Sequence, residues 1–148
     1  MTETEFHSES HKRLNVLAGV WDTTITMLDA NGDNGETSQA TDTYRWMTNG
    51  HFLVHDVDAT MGGQRIQSTE IFSVNSETGA FASRSYDADG SMKDFTSNIV
   101  DRTYTINGET QRFSGEFGED GNTLQGEWQQ LSHGQWSRFV RIVLKKKD

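Results

Sequence analysis

Apolar and polar residues alternate with period two through most of this 148-residue chain, in short runs separated by turn signals. The runs predict ten strands, near Val20–Leu28, Ser38–Thr48, His51–Thr60, Gln64–Val74, Ala80–Asp87, Met92–Val100, Thr103–Ile106, Thr110–Phe117, Thr123–Leu131 and Trp136–Lys145. Between them stand Asn49-Gly50, Met61-Gly62-Gly63, Ala88-Asp89-Gly90, Asn107-Gly108 and Ser132-His133-Gly134, which supply the positive φ that tight hairpins need. One segment breaks the pattern. From about Ser8 to Leu17 the spacing is helical: Ser8 or Ser10 can cap, Phe6 can staple, and Leu14 with Leu17 forms one short apolar face. The next stretch, Leu17-Ala18-Gly19-Val20-Trp21-Asp22, places a Gly-x-Trp at the mouth of the first strand. The glycine allows a tight entry, and the indole can cover one end of a barrel while its N–H reaches a backbone carbonyl. The expected fold is all-β: an up-and-down antiparallel β-barrel of about eight to ten strands with a short N-terminal helix plugging the closed end.

Composition narrows the function classes. The length suits a single domain spanning residues 1–148, with 1–7 expected to be flexible. Mean hydropathy of −0.73 and a net charge of −9 could signal disorder, but four Trp, eight Phe and three Tyr spread along the chain argue for an ordered core. With no cysteine, disulfides, thiolate metal sites and a cysteine nucleophile are excluded. The acidic balance opposes nucleic-acid binding, since phosphates would be repelled. No apolar run approaches the ~20 residues of a spanning helix, and Met1–Glu9 has no apolar signal core. A soluble, cytoplasmic protein without membrane contact is expected. The basic run Lys145-Lys146-Lys147 reads as a solubilising end to the last strand. Asp29–Asn34 lacks the bidentate Glu of a calcium loop and reads as a solvated turn, so no metal site is expected.

Several segments together carry a resemblance. His11-Lys12-Arg13-Leu14, the Gly19-Val20-Trp21 entry, Arg45-Trp46, Asn49–Val54 and Met61-Gly62-Gly63 resemble, in order, bacterial lipocalin-like domains of unknown function. These are grouped in the calycin superfamily with lipocalins, fatty-acid-binding proteins and haem-binding nitrobindins. The resemblance implies a barrel that holds a small molecule. It does not imply a carboxylate clamp, because the Arg-x-Tyr of fatty-acid-binding proteins is replaced here by Arg138-Phe139-Val140-Arg141. In nitrobindin-like relatives a late histidine ligates haem iron; His133 is late in this chain but sits on a turn, so no cofactor is expected.

Strand alternation then nominates the lining. Trp21, Thr23, Ile25 and Met27 share the inward face of the first strand. On the third strand the acidic pair Asp56 and Asp58 belongs in water, which turns His51 and His55 inward. They lie about 13 Å apart on a strand and cannot share a metal. Glu70 shares a face with Ile66, Phe72 and Val74 and is the strongest candidate for an interior carboxylate. Arg84, with Tyr86 on the same face, and Arg138, aligned with Trp136, Val140 and Ile142, are its candidate partners, as a buried ion pair or as a polar anchor for ligand. Trp46 and Trp128 complete the candidate binding set. The expected function is binding of a small, largely apolar or aromatic molecule. The alternative is a cofactor-free isomerase, cyclase or hydratase with Glu70 or His55 as the catalytic group. Strand edges near Gln111–Phe117 offer a route to a homodimer.

Overall fold

In the computed structural model, which describes residues 5–29 and 31–147, helix α1 (Glu9–Leu14) runs into a 3-10 turn at Asn15–Leu17 and then into ten strands. These are β1 (Gly19–Leu28), β2 (Asn34–Trp46), β3 (Leu53–Met61), β4 (Gln64–Val74), β5 (Phe81–Tyr86), β6 (Met92–Val100), β7 (Thr103–Gly108), β8 (Gln111–Phe117), β9 (Thr123–Ser132) and β10 (Gln135–Lys146). Each pairs antiparallel with its sequence neighbours, and β1 also pairs with β10, so the meander closes into a barrel. All ten expected strands are present, but β2 starts at Asn34 and ends at Trp46 where Ser38–Thr48 was expected, and β3 starts at Leu53 and leaves His51 outside. Closure removes the edge expected near Gln111–Phe117, since β8 is bonded to both β7 and β9.

The helical lead forms because Ser8 is extended and its hydroxyl accepts from the His11 backbone N–H at 3.2 Å, capping a helix too short to stand alone. Docking supplies the remainder. Leu14 and Leu17 are wholly buried, each worth about 2 kcal/mol of apolar transfer. Arg13 ties the helix to the rim by donating to the carbonyls of Ile99 and Gly79 and to Asn98 Oδ1, each at 3.0 Å. The chain then enters β1 through Gly19 at φ 132°, a conformation that L side chains rarely adopt. This places Trp21, fully buried, with its Nε1–H donating to the Leu17 carbonyl at 2.8 Å. Lys146 reaches back over the indole, 4.8 Å from the ring, and donates to the Val16 carbonyl at 3.1 Å. Lys146 therefore belongs to the plug and not to a solvated tail. Phe6 packs against Trp46, and His7 stacks on His51.

The two ends of the barrel differ. At the helix end Leu14, Leu17, Trp21, Leu53, Phe72, Phe81 and Phe117 pack into a continuous apolar plug. Toward the other end the side chains no longer meet, and a hollow remains.

Candidate functional site

The hollow has a volume of about 260 Å³. Two different walls surround it. The first comes from β1 to β5, where one inward polar side chain per strand joins a single hydrogen-bonded chain. Thr23 Oγ1 donates to Asp42 Oδ1 at 2.6 Å, and Asp42 Oδ2 lies 2.6 Å from His55 Nε2. His55 Nδ1 lies 3.0 Å from Glu70 Oε1, and Ser83 Oγ donates to Glu70 Oε2 at 2.8 Å. Strand register explains the order. Tyr44, His55 and Glu70 stand directly opposite one another on β2, β3 and β4, while Asp42 sits diagonally across from His55. The Tyr44 ring lies flat on the imidazole, with centroids 3.9 Å apart and planes within 8°.

Burial alone would push the His55 pKa down. The hydrogen bonds to Asp42 and Glu70, with their charges behind them, outweigh it and hold His55 at about 9. His55 is therefore an imidazolium at neutral pH, donating from both nitrogens. The phenols of Tyr44 and Tyr104 are pushed well above the usual range, first by burial and then by neighbouring charge, with Glu70 acting on both and Asp42 on Tyr44. Both remain neutral donors.

The second wall comes from β6 to β9 and is made of rings. Trp128 stands 5.4 Å from Phe113 and 6.1 Å from Phe95, and Tyr104 meets Phe113 edge-on at 5.8 Å. Gly115 and Gly126, paired across β8 and β9, make this possible. A Cβ on either would come within 2.7 Å of the Phe113 ring, so only glycine lets that ring lie flat against the sheet. Ser68, Ser85 and Gln111 line the hollow toward its mouth, with Asp87 and Lys93 joined there as an ion pair.

Of the residues nominated from the sequence, the structure brings His55, Glu70 and Trp128 together around the hollow. Thr23, Ile25 and Ile142 line it too, while the other five residues of the candidate binding set are elsewhere. His51 precedes β3 on an exposed turn, where its backbone N–H donates to Asn49 Oδ1 at 2.9 Å; alternation could not apply to a residue outside the strand. Trp46 belongs to the helix end, donating from Nε1 to Asn15 Oδ1 at 2.9 Å. Arg84 and Tyr86 point outward, because wholly buried Phe81 sets the inward parity of β5 and leaves Arg84 paired with Asp94 in solvent. Arg138 also lies outside, bonded to Glu127 at 2.6 Å. A bulge between Arg138 and Val140 reverses the alternation, so a face read through from Ile142 places Arg138 wrongly. The partner of Glu70 is thus His55 and not an arginine. Asp42 was missed, although it alternates with Ala40 and Tyr44 on one face of β2, a signal present in the sequence.

Haem does not fit these residues. Among the described residues the one histidine lining the hollow has both ring nitrogens committed to carboxylates, and His133 occupies a turn at φ 52°. Among the described residues no cluster of three His, Cys, Asp or Glu is arranged to hold a metal ion, and no helix is long and apolar enough to cross a membrane.

Comparison with known proteins gives a family and a fold. A family model described as "Protein of unknown function (DUF1579)" matches residues 7–146. The structure is similar to the crystal structure of Rv2717c from M. tuberculosis, with a TM-score of 0.71 over 97% of this chain and 100% of that one. Sequence identity there is 13%, so the likeness is one of fold. No curated protein matches the chain.

Proposed function

The chain belongs to the DUF1579 family, whose description leaves activity open, and from that premise we propose that the barrel binds a small, largely apolar or aromatic molecule in its hollow. One observation carries this reading: a closed barrel solid at one end keeps about 260 Å³ unfilled at the other, between a hydrogen-bonded polar wall and an aromatic wall. An apolar cavity of about 150 Å³ takes up benzene. The present hollow is larger and has polar groups at defined points, so it suits one or two rings bearing a polar substituent. Placement in the calycin superfamily and a cytoplasmic location belong to the same reading.

The test is uptake of indole followed by NMR. Shifts confined to Trp128, Ile142 and the other lining residues are expected, and Ser68→Trp, which fills the hollow, should abolish them. Indole that leaves those resonances unmoved would remove the reading. Native mass spectrometry of the protein purified from its own host would identify a retained molecule.

A cofactor-free enzyme is the second reading, favoured by the proton that His55 carries between two carboxylates at the cavity wall. The proton could pass from His55 to Glu70 along their hydrogen bond and from Glu70 to a bound carbonyl, the carboxylate then taking a proton back from the substrate, as an isomerase, cyclase or hydratase requires. Turnover that falls as pH rises through about 9, and is lost in His55→Gln, would distinguish catalysis from binding.

A further inference from the structure

The charges around the hollow do not balance. Among the described residues three carboxylates line it, from Asp42, Glu70 and Asp87, against two cationic groups, His55 and Lys93, and no arginine reaches it. Lys93 and Asp87 satisfy each other at the mouth. The deeper group is therefore one imidazole between two carboxylates, and moving a proton along that chain leaves its net charge at −1 wherever the proton rests. Hydrogen bonding is equally lopsided. A carboxylate offers about four lone-pair sites, and each of these two uses one per oxygen, for Thr23 and His55 or for His55 and Ser83. Acceptor capacity is left over, in a space where an unmatched charge is costly.

Across the hollow stand Phe95, Tyr104, Phe113 and Trp128, whose faces and edges meet at angles and form an open-sided box. Ring faces carry negative potential and attract cations, most strongly when water is excluded. An anion would meet repulsion from the excess charge of the first wall. A neutral molecule would leave the excess charge unanswered.

Resting on the reading of the hollow as a binding site, we propose that its ligand is a small organic cation: an amine or quaternary ammonium group carried on an aromatic or short aliphatic body. The ammonium sits between the Asp42–His55–Glu70 chain and the aromatic box, and its N–H groups, where present, donate to the spare carboxylate lone pairs. The charge on the ligand completes the neutralisation that His55 only half achieves.

Three probes of nearly equal shape separate this inference from the reading beneath it: 2-phenylethylammonium, 2-phenylethanol and phenylacetate, each titrated by calorimetry and by NMR of the full-length protein. The ammonium is expected to bind at least about tenfold more tightly than the alcohol, with the carboxylate weakest. Glu70→Gln, which removes the excess charge and keeps the shape, should bring the ammonium and the alcohol within about twofold of each other. Equal binding of the ammonium and the alcohol by the unaltered protein, or tighter binding of the carboxylate, overturns the cationic ligand while leaving the cavity reading in place. Failure of all three to perturb Trp128 and Ile142 removes the cavity reading itself. Should Glu70→Gln fail to fold, Asp42→Asn serves the same purpose from the other side of His55.

Discussion

The two walls of the lumen hold themselves in place by different means. From β1 to β5 one inward polar side chain per strand is fixed by a hydrogen bond to the next strand along. From β6 to β9 large rings are fixed by contact alone, with glycines at 115 and 126 making room for Phe113. A polar chain of this kind keeps side chains apart at bonding distance, so it cannot collapse onto the rings. The hollow is what remains between a wall that cannot spread and one that cannot close. The shared residues of the plug, Leu14, Leu17 and Trp21, have no such spacer and pack solid.

That contrast can be broken from either side. The largest effect is expected on the aromatic wall. Phe113→Ala leaves a void beside two glycines that cannot fill it, and should cost about 4 kcal/mol in urea unfolding. On the polar wall His55→Leu leaves Asp42 and Glu70 without their common partner, an expected loss of about 3 kcal/mol. The two losses differ in kind: only that of His55→Leu should shrink when the carboxylates are protonated in mild acid.

A pH series sharpens the same point. His55 has a folded pKa raised from 6.5 to about 9, so its contribution to stability is fully present below 6.5 and is lost as pH climbs through about 9. The interval corresponds to about 3 kcal/mol, and the alkaline decline should vanish in His55→Gln. Gly126→Ala tests the ring side, where the new Cβ would meet Phe113 and the Ser114 carbonyl at 2.5 Å; overpacking there should cost about 2 kcal/mol. The smallest effect concerns the plug. Burial lowers the His11 pKa, a hydrogen bond with the His51 backbone opposes this, and the charges of His7 and His51 reinforce it. The folded value lies below the unfolded one, so stability falls as pH drops below about 6.5, and His11→Gln should flatten that slope slightly.

How much of this was legible in the chain follows from what alternation can encode. The number and approximate places of the strands, an indole N–H reaching a nearby backbone carbonyl, and the inward direction of Glu70 and His55 follow from period-two patterning and a Gly-x-Trp start. Arg138 was misread because a bulge is a local event that leaves no mark in the alternation. On β5 the face carrying Arg84 and Tyr86 was expected inward, but the single large ring of Phe81 sets the opposite parity. The Thr23–Asp42–His55–Glu70–Ser83 chain depends on register between strands, which no single strand's sequence specifies. Arg13, which clamps the helix, was invisible for a related reason: its acceptors are mainly backbone carbonyls, 66 and 86 residues away.

The most direct measurement is ¹⁵N and ¹H NMR of the His55 ring across pH 6 to 10. Both ring nitrogens should be protonated at pH 7.5, with slowed exchange and a titration midpoint near 9. A neutral tautomer at that pH, titrating near 6.5, would mean that Asp42 and Glu70 do not share the imidazolium, and the polar wall described above would not exist.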